Sequence, residues 1–395
     1  MISLGGGMPN PATFPVSSLS LEIKQVGPSS SLLPFTLTLT GGDLDEALQY
    51  SASYGIPRLT AWLRSWQARE HTPPYVANHT SPSDQELSVC MFNGSQHALA
   101  VAFDVLLNDG DAVLVERPTY SGALACLRAL GADLRSVATD GHGLIPADLE
   151  RAVAEAPHAR VLYLIPTGQN PSGASLPVER KREIYKIACA HDLLVLEDDP
   201  YWNLQLDKAL ARQNRSLMSM DVEGRVLRFD SFSKVVSAGL RLGLASGPPA
   251  LVEKLQLYQQ ATTLHPSGVS QMLLLRILQH LGEQGFEQHL GAVQDFYRSQ
   301  RDCFVGAVEA HLSSLVRYQL PAAGMFLWME ALHHTDTDEL IKVGGPKQKV
   351  LAVSGQSFQP DDKPCNFLRT SFSTATPEQM DQACRRLASL LAPAQ

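Results

Sequence analysis

The sequence predicts an α/β protein with a mostly parallel sheet, followed by a smaller α+β unit. Three observations carry that expectation. Between residues 87 and 229 short apolar runs alternate with helical patterns, the signature of strand–helix–strand crossovers in a parallel sheet. At 395 residues the chain is long enough for two domains. After Gly247-Pro248-Pro249 the alternation gives way to long helices and then to strand-like runs set between helices.

The first forty residues are rich in Gly, Pro and Ser and read mostly as loop; Gly5-Gly6-Gly7-Met8-Pro9 would let backbone approach a ligand, though a flexible start explains the same composition. Helices are expected over 46–50 and 57–70, the second with Leu59, Trp62, Leu63 and Trp66 at helical spacing. The loop between them carries Tyr50 and Tyr54. A strand over 87–92 turns through Asn93-Gly94-Ser95-Gln96 into a helix over 97–107, whose free N–H groups and dipole suit an anion. Strands over 112–116, 134–138, 160–165, 193–197 and 226–229 follow, interleaved with helices over 122–130, 146–154 and 178–191. Helices over 251–260 and 269–312 come next, the stretch from 286 onward being a candidate domain connector. Strands over 325–329, 350–353 and 367–372, with a helix over 379–391, complete the chain.

In such sheets ligands sit beyond the carboxyl ends of the strands. Ser95, Tyr120, Asn170, Asp198, Tyr201 and Lys234 all fall just past a strand end. Each alone would be a turn or a cap; six at one edge point to a site. At its centre stand Ser231-Phe232-Ser233-Lys234 and Gly239-Leu240-Arg241-Leu242-Gly243. A lysine can join an aldehyde as an imine, and hydroxyls with a guanidinium can hold a phosphate beside it. A lysine after Ser-x-Ser is ordinarily only a solvated lysine. Here it keeps company with Asn170-Pro171 and Asp198-Asp199-Pro200-Tyr201 upstream and Asn366-Phe367-Leu368-Arg369 downstream. An arginine in a strand-like run, as Arg369 is, would otherwise be read as an ion-pair partner.

Composition narrows the classes. With 44% hydrophobic and 18% charged residues the chain reads as an ordinary globular protein, and a net charge of −8 argues against a nucleic-acid surface. No apolar run approaches the roughly 18 residues of a membrane helix. The N-terminus lacks Lys or Arg before Lys24, so neither a secretory signal nor an Arg-rich transit peptide is expected and a cytoplasmic location fits. Six cysteines without a C-x-x-C pair, and 12 histidines without H-E-x-x-H spacing, give no expectation of a disulfide or of a metal site.

On these residues the chain resembles the class I/II aminotransferases that use pyridoxal 5′-phosphate, a fold-type I family, and within it the kynurenine/2-aminoadipate and aromatic aminotransferases. The matching stretches include Gly6 to Pro11, Gln49-Tyr50-Ser51, Gly94-Ser95-Gln96, Pro118 to Gly122, Gln169 to Gly173, Glu197 to Tyr201, Asp230 to Lys234, Leu264 to Ser267 and Ala323 to Trp328. The resemblance implies a seven-stranded, mostly parallel sheet in a large cofactor domain over 41–285, an N-terminal arm over 1–40 and a small domain over 286–395. It implies that Lys234 binds the cofactor aldehyde and carries the proton. Asp198 would face the pyridine nitrogen, Asn170 and Tyr201 the ring hydroxyl, and Tyr120 the ring face. Gly94, Ser95, Gln96, Ser231, Ser233 and Arg241 would hold the phosphate, with Tyr50 reaching it from the partner of a homodimer with shared sites. Arg369, with Asn170, would take the substrate carboxylate; Gly7, Met8, Tyr54, Leu264 and Phe326 would line the side-chain pocket.

Two departures stand out. Family members usually carry a segment ahead of the position of Met1, so the expectation here is either a processed form, which leaves mitochondrial targeting open, or a more open pocket. Around Val353 to Phe358 the proline usual before the glycine is missing, while Gly355 and Phe358 are kept. Two other classes are compatible with this scaffold: a lyase or synthase of the aminocyclopropane carboxylate synthase type, and a cofactor-binding sensor module.

Overall fold

Strands whose side chains alternate between two buried layers form the centre of the protein. The computed structural model describes residues 7–24, 34–78, 87–361 and 363–393. Gly5 and Gly6 of the glycine run lie outside them. The large sheet has eight strands, in the spatial order Ser88–Phe92, Gly243–Gly247, Val226–Ser231, Leu194–Asp198, Val161–Leu164, Ala112–Arg117, Asp133–Asp140 and Gly143–Leu144. The five from Val226–Ser231 to Asp133–Asp140 are parallel, whereas Gly243–Gly247 runs antiparallel to both its neighbours. The sheet therefore exceeds the seven strands expected by one, the two-residue Gly143–Leu144, which hairpins back onto the edge.

Period-two alternation sorts the strand residues onto two faces. Leu114, Leu162, Leu164, Val195 and Val226 enter one apolar cluster; Val113, Val115, Val161, Tyr163, Leu196 and Phe229 enter the other. Both faces are covered by helices, as a parallel sheet requires. The strand Gly243–Gly247 had no counterpart in the sequence reading, because Gly-Leu-Ala-Ser-Gly lacks the β-branched and aromatic residues that mark strands. It is a strand because only glycine allows its approach: a Cβ on Gly243 would stand 2.4 Å from the Ser95 nitrogen.

Within the loop-like first forty residues, Leu19–Ile23 and Phe35–Leu39 pair as a two-stranded antiparallel sheet. The second sheet has four antiparallel strands, in the order Val316–Tyr318, Phe326–Ala331, Phe367–Ser371 and Val353–Ser354. The long helix Gly268–Leu312 leads into it and is interrupted at Gly282, whose φ of 60° and ψ of −175° are not helical. The two sheets are stitched by backbone hydrogen bonds from Leu206 N–H to Ala322 O (2.7 Å), Gly324 N–H to Leu204 O (3.0 Å) and Thr119 N–H to Phe358 O (2.9 Å).

Alternation also divides the charges at the end of Leu194–Asp198. Glu197 and Asp199 point to the face that carries Arg228 and Asp230; Asp198 points to the other. Arg228 is fully buried, with Asp230 at 2.9 Å, Asp199 at 3.0 Å and Glu197 at 3.4 Å. Lys181, on the polar-looking helix Val178–Ala190, is buried beside this cluster and donates to Asn214 Oδ1 and Arg215 O. Replacing Arg228 by Met should leave three buried carboxylates without their cation and lower stability by about 3–5 kcal/mol. The midpoint of denaturant unfolding measures it; a loss below about 1 kcal/mol would mean that the carboxylates are held by other groups.

Candidate active site

The strand ends converge on one cavity of about 320 Å³ between the two sheets. Ser95, Gln96, Tyr120, Asn170, Asp198, Tyr201, Ser231, Ser233, Lys234, Arg241, Phe326 and Arg369 line it. Twelve of the residues singled out in the sequence thus meet in space.

One end of the cavity is built for an anion. The helix Ser95–Leu106 begins at Gly94, whose φ of 83° suits glycine and which offers no side-chain cap. The helix N-terminus is thereby left with free N–H groups directed at the cavity. Arg241 lies alongside, with backbone in the left-handed region (φ 51°) and Nη1 donating to Ser233 Oγ at 3.3 Å. A Cβ on Gly94 would stand 2.4 Å from Arg241 Nη2, so a glycine is needed for that approach. Ser231 Oγ accepts from the Ser233 N–H and closes the loop that presents Lys234.

The middle is a buried carboxylate. Asp198 Oδ2 accepts from the Tyr163 hydroxyl at 2.8 Å, whereas Oδ1 is buried with no partner among the described residues. Burial, reinforced by Asp199 and Asp230, pushes the Asp198 carboxyl up to about 7. A buried acceptor left open at the floor of a cavity suits a ligand N–H. Above it, burial and the cations Arg241 and Arg369 lower the Lys234 ammonium, so a larger share of the lysine is neutral and nucleophilic. Burial raises the phenols of Tyr120 and Tyr201, which keeps them as neutral donors.

The far end is a guanidinium between aromatic rings. The Arg369 guanidinium carbon lies 4.0 Å from the Phe326 ring centroid and 4.8 Å from that of Phe358, and Nη1 donates to Asn170 Oδ1 at 2.8 Å. Among the described residues Arg369 has no carboxylate partner, unlike the ion-paired arginine its strand position alone would suggest. It is a cation held in place and open to an incoming carboxylate.

The remaining candidates lie elsewhere in this chain. Met8, Tyr50 and Leu264 are among the exposed apolar side chains, at 59%, 56% and 50% exposure. Gly7 is exposed too, and Tyr54 packs partly buried on the core. Tyr50 rests its ring edge on His265, and Gln49 Nε2 bonds Pro9 O, so Met8, Tyr50 and Leu264 gather on one outer face.

Sequence reasoning missed three groups. Tyr163 was hidden in an apolar strand, where a tyrosine passes for packing. Phe358 was noted but given no role. Gln169 holds two loops together, with Nε2 donating to Pro118 O (2.7 Å) and Oε1 accepting from the Ser172 N–H and hydroxyl. Its position between Gly168 and Asn170 was the available signal.

The sequence pattern of the family described as aminotransferase class I and II matches residues 45–387. The chain belongs to that family. Kynurenine/alpha-aminoadipate aminotransferase of Bos taurus, a mitochondrial protein, is 40% identical over 402 residues, covering 99% of this chain and 92% of the relative. An aromatic amino acid aminotransferase of Dictyostelium discoideum is 33% identical, over 99% of this chain and 82% of its own. The crystal structure of aminotransferase Aro8 from Candida albicans superposes with a TM-score of 0.87 at 27% identity, over 99% of this chain and 92% of that one. The protein is an aminotransferase of fold type I, and its cofactor is pyridoxal 5′-phosphate. The residues present fit that group: the anion end suits a phosphate, and the open Asp198 Oδ1 suits a pyridinium N–H.

Gly94→Ala tests the anion end. The added Cβ requires Arg241 to withdraw, and the backbone strain adds about 1–3 kcal/mol. Fluorescence titration of the apoenzyme should find cofactor affinity reduced about tenfold or more, the scale of losing a bond to a charged group; unchanged affinity would remove Arg241 from the phosphate.

Proposed function

We propose that this enzyme moves the α-amino group of L-kynurenine, L-2-aminoadipate or an aromatic amino acid to a 2-oxo acid such as 2-oxoglutarate, in two half-reactions at one site. The observation that carries this reading is the open, aromatic-clamped Arg369 facing Lys234 across the cavity. The cofactor, when bound, supplies an aldehyde for the amino group and a ring that accepts the electron pair released at the substrate α-carbon.

The residues divide the remaining work. Ser95 and Gln96 N–H groups, Ser231, Ser233 and Arg241 hold the phosphate, with Gly94 opening the helix end to it. Tyr120 would pack on the ring, and Asn170 and Tyr201 would hold its oxygen. Asp198 fixes the protonated ring nitrogen, a charge needed most as negative charge develops. Lys234 would take the proton from the substrate α-carbon and hold it for return during the transfer, which requires the neutral amine. Its lowered ammonium therefore places the loss of activity on the acid side, as falling pH protonates it. Arg369, assisted by Asn170, takes the α-carboxylate as a bidentate pair. Phe326 lines the side-chain pocket; Gly7, Met8, Tyr54 and Leu264, which lie outside the cavity of the single chain, join it in this reading only once the dimer forms.

The same reading makes the working unit a homodimer. Met8, Tyr50 and Leu264 are exposed together on one face, the kind of patch a second copy covers. We assign Tyr50 to the phosphate of the opposite subunit's site. The boundaries read from the sequence, an arm over 1–40, a large domain over 41–285 and a small domain over 286–395, belong to this reading. Among the described residues no helix is long and apolar enough to cross a membrane. A cytoplasmic location is our working assignment; a mitochondrial one is its alternative, since the bovine relative is named mitochondrial.

Absorption spectra of the holoenzyme during titration with L-kynurenine, L-2-aminoadipate and L-phenylalanine test the donor. At least one should convert the cofactor from its aldehyde to its amino form, and conversion by none would overturn the donor class. Lys234→Ala should bind cofactor yet lose at least about 10²–10⁴ in kcat; wild-type turnover would mean that another residue moves the proton.

For the dimer, Tyr50→Phe should weaken cofactor retention about tenfold. Mixing it with Lys234→Ala should raise activity above the sum of the parts, because one site of each heterodimer is then intact. No gain after subunit exchange would confine Tyr50 to its own chain.

A further inference from the structure

The carboxylate of Asp198 has two oxygens, and the geometry treats them differently. Oδ2 is 2.8 Å from the Tyr163 hydroxyl, and Oδ1 is buried without a partner among the described residues. Terminal torsions of carboxylates are broad, so burial alone does not fix which oxygen faces the cavity. Tyr163 can fix it. It sits on Val161–Leu164, the strand beside Leu194–Asp198, in register with Leu196. Two residues along, Asp198 returns to the same face, about 6.6 Å further on, within reach of a tyrosine hydroxyl. The Tyr163 ring is fully buried, with its centroid 5.7 Å from that of Phe103 at 74°, so the hydroxyl is held by packing rather than by chance rotation.

We infer that Tyr163 is a positioning residue for the reaction: by occupying Oδ2 it turns Oδ1 toward the ring nitrogen of the cofactor and holds the carboxylate there. This rests on the reading that Asp198 meets that nitrogen. Other groups around Asp198 do not substitute for the phenol. Tyr120 and Tyr201 face it from the cavity side, Glu116 acts on it from the strand Ala112–Arg117, and Asp199, Asp230 and Arg228 act from the opposite face; none of them is among its hydrogen-bond partners. Glu116 is itself pushed up to about 8 by burial, so near neutral pH it is largely protonated and adds little charge.

The sign of the pH effect follows. Asp198 accepts a bond from the pyridinium only when ionised, and its affinity contribution is lost as pH falls through about 7. The phenol donor favours the ionised form, so removing it moves that loss to higher pH.

The test is the affinity of the apoenzyme for pyridoxal 5′-phosphate as a function of pH, read by fluorescence. Tyr163→Phe should weaken binding about tenfold at pH 7 and move the acid limb up by about one unit, the equivalent shift. Asp198→Asn should abolish the limb. In the double variant, which carries no unmet buried charge and so folds even if the single one does not, affinity should equal that of Asp198→Asn alone. An unmoved limb in Tyr163→Phe, or a further tenfold loss in the double variant, would reduce Tyr163 to a packing residue. If Asp198→Asn itself leaves affinity and limb unchanged, the placement of the ring nitrogen at Asp198 fails instead.

Discussion

Everything in this site depends on separating one carboxylate from three others. Four acids crowd the ends of two adjacent strands, Glu197, Asp198, Asp199 and Asp230, and all are buried. Were all four on one side, their mutual repulsion would add to desolvation and raise their proton affinities further. The pleat sends three to a face where the buried Arg228 pairs with each of them and leaves Asp198 alone on the other. Isolation gives that carboxylate its open oxygen, and burial, reinforced by Asp199 and Asp230, gives it its raised proton affinity; both make it responsive to a cationic ring nitrogen.

The cations obey the complementary rule. Lys234, Arg241 and Arg369 line one cavity, and no acid among the described residues pairs with the two that would bind anions. Arg241 is held by Ser233 and by the Ala238 carbonyl, Arg369 by Asn170 and two rings, all neutral. Neutral partners fix a guanidinium without discharging it. Burial, reinforced by the field they leave, lowers the lysine between them. An anionic phosphate and an anionic carboxylate are therefore the natural occupants of the two ends, and the amine between them is kept reactive.

Backbone geometry supports both arrangements. Gly94 and Gly243 allow the anion end to close to distances a side chain would forbid, and the Phe358 carbonyl ties the ring beneath Arg369 to the loop that carries Tyr120. Motion of one sheet against the other would thus be felt at both ends of the cavity.

The sequence by itself determined the α/β class, the six polar residues beyond strand ends and the family they belong to, because period-two and period-3.6 patterns and ordered motifs are local properties. Its reading passed over the strand Gly243–Gly247 and the pairing of Leu19–Ile23 with Phe35–Leu39, where small residues and a Gly-, Pro- and Ser-rich setting hide strand character that only a neighbouring strand confers. Tyr163, Phe358 and Arg228 were unreadable for the same reason: their roles are contacts with residues 35, 11 and 31 positions away or more, at Asp198, Arg369 and Glu197. Which oxygen of Asp198 stays open, and which arginine stays unpaired, are matters of register and burial, and tertiary structure alone decides them.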